Sequence, residues 1–309
     1  NTYNIGIGYS SLGGTSNTGY NNTAIGIWAM SGSGLSGYNN NAIGYNAMKN
    51  LTTGIRNNAV GTDAMGGNGP ITGDENNAFG MLTLNELTSG GGNSAFGSRA
   101  MQNNTTGYNN SVLGSYSLYL NTAGVNNTAI GNYALYAING TTANAGGSYN
   151  TGLGYNAGRY VGNNNNNPNT TGRGLLLLGY DTRPFADGVI NEVVISGFAG
   201  TNVNFGTTGL GTNTTLIGNS STTLTQLMGA LNLPSTTSST STTTGALRVG
   251  GGAGIVENLN VGGITTLIGA STISNTTVSN STTTGALVVR GGVGVAGNLT
   301  VGGTIEIDG

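Results

Sequence analysis

The sequence predicts an all-β fold in which the chain coils into a repetitive β-solenoid, also called a β-roll. Two observations predict it. A short motif recurs nine times, mostly at intervals of 17 to 19 residues, and a unit of that length is too short for two packed helices. The chain is also rich in glycine, asparagine and threonine, which are poor helix formers. Short strands joined by glycine turns fit this pattern, so we expect each unit to form one coil.

The composition excludes several classes of function. The 309 residues include 59 glycines but no cysteine and no histidine, and only 6% are charged, against about 25% in an ordinary globular domain. Without cysteine there is no disulfide scaffold or thiolate metal site, and without histidine the commonest general base and metal ligand is missing. The eight basic residues are scattered, which predicts no nucleic-acid partner, and no apolar run is long enough for membrane insertion. We therefore expect no cofactor, no metal, no catalytic residue and no enzymatic activity.

The repeating motif is Asn-x-small-apolar-Gly, and its nine copies define a predicted domain of nine coils over residues 1–161. The asparagines, four positions before each glycine, are Asn4, Asn22, Asn40, Asn57, Asn76, Asn93, Asn110, Asn127 and Asn150. Coils stack about 4.8 Å apart, so nine of them make a rod roughly 40 Å long. Stacked amides can hydrogen-bond along the axis, so we expect the asparagines to form a structural ladder. The glycine suits a backbone with positive φ or one that another segment approaches closely.

Two adjacent columns of the motif predict which side of the strand is buried. The large apolar residues directly before the glycine are Ile7, Ile25, Ile43, Val60, Phe79, Phe96, Leu113, Ile130 and Leu153. The preceding position is small, usually alanine, and neighbouring residues of a strand point to opposite faces. We interpret the large column as the coil core and the small column as an outward stripe that packs against identical chains, although alanine is also tolerated on a surface. On this interpretation, Ala42→Glu with Ala59→Glu disrupts the oligomer.

Aromatic residues cluster one or two positions after the motif glycine. They include Tyr9, Trp28, Tyr45, Tyr116, Tyr133 and Tyr155. Amphipathic rings are good contact residues on a surface with little charge. One interpretation is a strip that contacts a cell-surface glycan or receptor, and the other is that the rings stack coil on coil and cover the turns.

The motif loses its regularity after the ninth copy. The composition of residues 162–173 predicts an Asn-rich loop or hinge. For residues 174–235 we predict degenerate coils, which begin with a buried strand at Leu175 to Leu178. Residues 181–188 contain Asp181, Arg183 and Asp187. An Arg–Asp pair that holds a turn is one interpretation of this patch, and a carboxylate dyad for glycoside hydrolysis is the other.

A second repeat occupies residues 236–309, which contain two copies of a 40-residue unit rich in serine, threonine and glycine. Alternation at Leu259/Val261 and at Leu299/Val301 predicts short half-buried strands. The glycine pairs between them suit tight turns or the close approach of chains around an axis.

Residues 1–158 resemble the head repeats of YadA-like trimeric adhesins. Such repeats also occur in bacteriophage and viral tail fibres. The segments 22–26, 41–48 and 127–135 carry the resemblance, with Asn-Thr-Ala-Ile-Gly and Asn-Ala-Ile-Gly-Tyr-Asn-Ala-Met among their sequences. The resemblance implies a left-handed parallel β-roll, an intertwined homotrimer and an extracellular or virion-surface location. The coils here are longer than the adhesin unit, and no heptad stalk or membrane anchor follows them, which favours a fibre segment.

The expected function is that of a structural and adhesive fibre, such as a virion tail or surface fibre that presents a receptor-binding tip. A bacterial trimeric adhesin or extracellular filament is the alternative within the same class. An ice-binding solenoid would need a flat array of Thr-x-Thr, and a polysaccharide-degrading β-helix would need clustered carboxylates. The sequence contains neither pattern.

Overall fold

The computed structural model divides the chain into two compact units, Asn1–Met228 and Gly229–Gly309. The described residues are 3–140, 147–162, 166–197, 207–218, 225, 231–234, 247, 249, 253–256, 259–262, 264–268, 271–277, 283–303 and 305. The first unit contains all of the strands found among them.

The first unit is a β-solenoid built on one parallel sheet. Its strands are β1 (Ile5–Ile7), β2 (Thr23–Ile25), β3 (Asn41–Ile43), β4 (Asn58–Val60), β5 (Asn77–Phe79), β6 (Ser94–Phe96), β7 (Ser111–Leu113), β8 (Thr128–Ile130), β9 (Thr151–Leu153), β10 (Leu176–Leu178), β11 (Val193–Ile195) and β12 (Thr215–Ile217). Each strand pairs only with its sequence neighbours, in the order β1 to β12. The described part of the chain contains no helix. The predicted all-β solenoid is therefore confirmed.

The solenoid continues past the ninth motif without a change of register. Leu176 of β10 aligns with Thr151 of β9, and Val193 of β11 aligns with Leu176. The irregular segments predicted as degenerate coils thus contribute three further strands to the same sheet. The described residues of the predicted Asn-rich segment, 162 and 166–173, lie in the chain between β9 and β10, which pair directly with each other.

Most of the large side chains in the interior of the coil come from the turn and not from the strand. The residue four positions after each motif glycine is almost always leucine or methionine, and Met48, Met65 and Leu118 are fully buried there. Another column of buried apolar residues, which includes Leu51 and Leu87, lies before the next turn. These side chains form the hydrophobic core together with the alanines of the strands.

The predicted orientation of the strands is wrong. The central, small residue of the strand is buried, and Ala24, Ala42 and Ala59 are 0% exposed. The large column that we assigned to the core points outward in every coil: Ile7, Ile43, Phe79, Phe96, Leu113, Ile130 and Leu153 are exposed, and Ile25 and Val60 are partly exposed.

The small residue faces inward because the coil has little space behind the centre of the strand. Gly152 takes the alanine position in β9, and a Cβ atom placed there would lie only 2.8 Å from the Cγ of Leu135. At Gly6 the Cβ would lie 3.3 Å from the Cδ1 of Leu12. In the coils with leucine or methionine four positions after the motif glycine (the Leu/Met column), that side chain occupies the space behind the strand, so the central residue is no larger than valine. The ninth coil has Gly158 in the column, and the larger Leu177 of the next strand is buried beside it.

The motif glycine is required for both of the predicted reasons. Gly44 has φ = 136°, and a Cβ atom on it would lie 2.5 Å from the carbonyl oxygen of Gly61 in the next coil. The turn that follows contains left-handed residues that are not glycine, such as Asn46 (φ 55°) and Met48 (φ 47°). A bulky side chain rarely adopts this conformation, so the packing of Met48 in the core must outweigh the backbone strain.

The second unit differs from its prediction. Its described residues form no strand, and Leu259, Val261, Leu299 and Val301 are all exposed. A Cβ atom added to Gly291, Gly292 or Gly303 would meet no atom within 4 Å. Among the described residues of this unit the predicted half-buried strands are therefore not formed, and these four apolar side chains are left exposed.

Candidate assembly face and aromatic surface

The outward face of the sheet carries a continuous row of large apolar side chains, which we call the apolar stripe. It consists of the third residue of each strand: Ile7, Ile25, Ile43, Val60, Phe79, Phe96, Leu113, Ile130, Leu153, Leu178, Ile195 and Ile217. Parallel in-register pairing places each of them directly beside its counterpart in the next coil. At about 4.8 Å per coil, the row is roughly 50 Å long.

The apolar stripe is accessible and closely packed along its length. Phe96 is 40% exposed and Leu113 is 55% exposed. The rings of Phe79 and Phe96 stack with centroids 4.8 Å apart and planes within 1°. A shallow groove of about 160 Å³ runs beside Phe96, Leu113 and Ile130. Such a surface attracts other apolar surfaces without directional preference.

No charge interrupts this face. The other outward residue of each strand is its first, and in all twelve strands that residue is Thr, Asn, Ser, Ile, Leu or Val. Several of these side chains bond to each other between coils, as in the 2.8 Å bond from Nδ2 of Asn58 to Oδ1 of Asn77. The surfaces of soluble proteins usually carry interspersed charged side chains, which limit association. This face lacks that protection.

The predicted asparagine ladder is confirmed from Asn4 to Asn150. The backbone N–H of Asn57 donates to Oδ1 of Asn40 (2.9 Å), and Nδ2 of Asn57 donates both to that oxygen (3.2 Å) and to the carbonyl oxygen of Gly73 (2.8 Å). The same bonds repeat at the next coils, and Asn40, Asn57 and Asn76 are 0% exposed. The amides therefore satisfy buried polar groups of two coils at once.

The ladder column changes residue type beyond Asn150. The N–H of Leu175 still donates to Oδ1 of Asn150 (3.1 Å). In the following coil Glu192 occupies the position and is 0% exposed. One carboxylate oxygen of Glu192 accepts from the N–H of Phe185 (2.9 Å), and the other accepts from the N–H of Gly211. The carboxylate of Glu192 thus replaces the amide of the ladder, because it accepts backbone hydrogen bonds from both sides.

A second, shorter asparagine ladder escaped the sequence analysis. Asn104 and Asn121 are 0% exposed, and Nδ2 of Asn121 donates to Oδ1 of Asn104 (2.9 Å). Oδ1 of Asn121 also accepts from the N–H of Gly124 (2.9 Å). The available signal was Asn-Thr-x-Gly, which occurs at 104–107 and again at 121–124. The equivalent position in earlier coils is apolar, as at Leu51 and Leu87.

The predicted aromatic residues form two stacked groups. In the first, the ring of Trp28 contacts Tyr9 (centroids 6.4 Å apart) and Tyr45 (5.4 Å), both edge to face. Trp28 is 36% exposed, whereas Tyr9 is 73% exposed. The stacking that we considered as one interpretation is therefore present, and ligand contact stays a prediction.

The second group lies further along the same side of the coils. Tyr116 stacks on Tyr133 at 5.2 Å, and Tyr133 meets the edge of Tyr155 at 6.4 Å. The guanidinium of Arg159 lies 4.1 Å above the ring of Tyr133 and 5.0 Å above that of Tyr136. Burial, followed by the neighbouring Tyr119, raises the pKa of Tyr136 above its ordinary value, although Arg159 opposes the change. This group is a cation–π cluster that joins several coils.

The charged patch at residues 181–188 holds a turn, as one interpretation predicted. Arg183 and Asp181 are buried, and the guanidinium Nε donates to Oδ1 of Asp181 (3.1 Å). Asp187 instead accepts hydrogen bonds from the backbone N–H groups of Thr170 (2.8 Å) and Thr171 (2.7 Å). The two carboxylates have separate structural partners, so the geometry gives no support to a dyad.

Asp187 provides a prediction about acid stability. Desolvation alone would raise the pKa of Asp187, but the hydrogen bonds from Thr170 and Thr171 outweigh it, and the pKa lies below its ordinary value. A depressed pKa adds stability above about pH 4, and that stability is lost as the pH falls through the folded-state value. We expect Asp187→Asn to lower the melting temperature at pH 7 by less than about 4 °C, since the group is exposed.

Thermal melts at a series of pH values check this expectation. The difference between the wild type and Asp187→Asn should shrink as the pH falls below about 4, since the wild-type carboxylate then takes up its proton. A difference that stays constant over that range would contradict the assignment.

Comparison with protein-family models, with curated proteins and with solved structures finds no match to this chain. Among the described residues there is also no apolar helix of the length that a lipid bilayer requires.

Proposed function

We propose that the protein is a structural and adhesive fibre that assembles from three identical chains packed along the apolar stripe. The observation that carries the proposal is the stripe itself, in which all twelve strands present a large apolar residue outward. Soluble monomers rarely expose long continuous apolar patches, and larger ones mark interaction sites. A partner with the same repeat matches the stripe rung by rung, so a second copy of this chain is the natural occupant.

The number of chains and the setting follow from the resemblance of residues 1–158 to YadA-like head repeats. In that interpretation three stripes meet around a common axis, and the solenoids become parallel parts of one stiff rod. The chain then belongs to a virion tail or surface fibre outside the cell and presents an attachment tip at a distance. The nearly neutral surface, with a net charge of −2, suits an object that makes contact by shape rather than by long-range electrostatic attraction.

The assembly is tested by measuring mass in solution together with particle shape. Size-exclusion chromatography with light scattering should give about three times the chain mass of 30.7 kDa, and negative-stain electron microscopy should show rods. The double variant Phe79→Glu with Phe96→Glu should be monomeric, because assembly would bury two unpaired carboxylates in each chain.

The matched control is Ser89→Glu with Thr106→Glu. These residues are exposed, lie in the same two coils and are outside the strands. The control should assemble like the wild type, since the same charge is added away from the stripe. A monomeric wild type, or a Phe79/Phe96 variant that assembles normally, would refute the proposal.

A further inference from the structure

The only tryptophan and the only lysine of the chain lie at the same surface depression. Trp28 and Lys49 line a cavity of about 340 Å³ together with Ser10, Gly13 and Ser31. We call this feature the tryptophan depression. Its volume is at the lower end of the range for small-molecule sites.

The depression results from two columns that follow the motif glycine by two and by five positions. In the seventh and eighth coils both columns hold tyrosine, and Tyr119 packs on Tyr116 with centroids 5.5 Å apart. Tyr136 packs on Tyr133 in the same way at 5.6 Å. In the second coil the first column holds Trp28, but the second holds Ser31, which is too short to cover an indole ring. The tryptophan therefore keeps an accessible side that the tyrosines have lost.

The chemistry around the ring combines a flat apolar surface, hydroxyl groups and a positive charge. Within the described part of the chain, the ammonium group of Lys49 makes no ion pair. Asp63, an acid one coil further along the axis, accepts a 2.9 Å hydrogen bond from Nδ2 of Asn46. Ser10 and Gly13, which come from the first coil, are both exposed.

We propose that the tryptophan depression binds a carboxylated pyranose, such as a uronic acid residue of a surface polysaccharide. The apolar C–H face of the sugar packs on the indole ring, the carboxylate pairs with Lys49, and the sugar hydroxyls bond to Ser10 and Ser31. This inference rests on the proposed attachment role and adds the ligand class. It does not require assembly, because all five lining residues belong to one chain.

Fluorescence gives a direct test because Trp28 is the only tryptophan. The full chain is titrated with sodium glucuronate, with glucose and with sodium acetate, under excitation that tyrosine does not absorb. Glucuronate should change the emission in a saturable way. Glucose should bind about threefold to fivefold more weakly, because it loses a solvent-exposed ion pair, and acetate should have no effect because it lacks the ring.

Two variants identify the site, and one serves as the control. Ser31→Tyr reproduces the tyrosine pair of the seventh coil, covers the indole and should abolish binding. Lys49→Gln should weaken glucuronate binding to the level of glucose and leave glucose binding unchanged. Arg56→Gln removes an exposed cation that pairs with Glu75 (2.7 Å) away from the depression, and it should bind like the wild type.

The outcomes separate this inference from the fibre proposal. The inference is overturned if glucuronate at concentrations up to about 50 mM leaves the emission of the folded protein unchanged. A site with a millimolar dissociation constant would be nearly saturated at that concentration. The inference is also overturned if Lys49→Gln binds glucuronate as the wild type does. Light scattering on the same samples reports assembly independently, so a monomer that binds glucuronate would refute the fibre and leave the site intact.

Discussion

The double variant Ala42→Glu with Ala59→Glu is expected to unfold the coils around β3 and β4 rather than merely separate the chains. Both alanines are 0% exposed, and the Leu/Met column closes the space behind them. A glutamate there needs room that does not exist and buries a carboxylate without a partner. We expect the free energy of unfolding to fall by at least about 5 kcal/mol. Far-ultraviolet circular dichroism and urea denaturation measure the loss.

The adjacent pair Ile43→Glu with Val60→Glu is the matched control for that experiment. The same charges are added to the same two strands, one residue further on, where the side chains point outward. This variant should keep the circular dichroism spectrum of the wild type and lose assembly in light scattering. If the two double variants behaved alike, the inward and outward columns would be assigned wrongly.

Replacing Asn93 by leucine is expected to weaken the solenoid by about 3–6 kcal/mol, since two or three buried polar groups lose a partner worth about 1–3 kcal/mol each. Asn93 donates to the carbonyl oxygen of Gly107 (2.9 Å), and its Oδ1 accepts from both nitrogens of Asn110 (3.0 Å each). Leucine has the same branched side-chain skeleton as asparagine and leaves no cavity, so the effect comes from lost hydrogen bonds together with overpacking by the bulkier methyl groups. Chemical denaturation followed by circular dichroism gives the magnitude.

The control for the ladder is Asn77→Ser. Asn77 accepts a hydrogen bond from Asn58 on the outward face (2.8 Å), and serine already occupies the equivalent position in the next strand, at Ser94. Its effect should stay within about 0.5 kcal/mol. An Asn93→Leu variant as stable as Asn77→Ser would show that the buried ladder is dispensable.

The repeat made the coils, the asparagine ladder and the glycine turns predictable. Each depends on residues that recur at one position, and stacking turns recurrence along the chain into contact along the axis. Asn57 could be placed above Asn40 without any knowledge of the rest of the coil. For the same reason residues 174–235 could be predicted to form further, degenerate coils.

The orientation of the strand could not be derived from the strand alone. Alternation allows either Ala42 or Ile43 to face inward, and the larger residue is the usual choice for a core. The deciding fact is that Met48 turns back under the strand in a left-handed conformation. Sequence rules assign that conformation to glycine and asparagine and not to methionine. The regular Leu/Met column was the visible signal, since a large apolar residue kept in nearly every coil needs a buried place.

The register of the sheet allows the connections between strands to vary in length. The interval between Asn127 and Asn150 is 23 residues instead of 17, yet the N–H of Asn150 still meets Oδ1 of Asn127 at 3.0 Å. The strands therefore keep their alignment although the connection between them is longer. A foreign peptide grafted at that point would be displayed at a fixed height on the rod, and duplication of a whole coil would lengthen the rod by one step of about 4.8 Å.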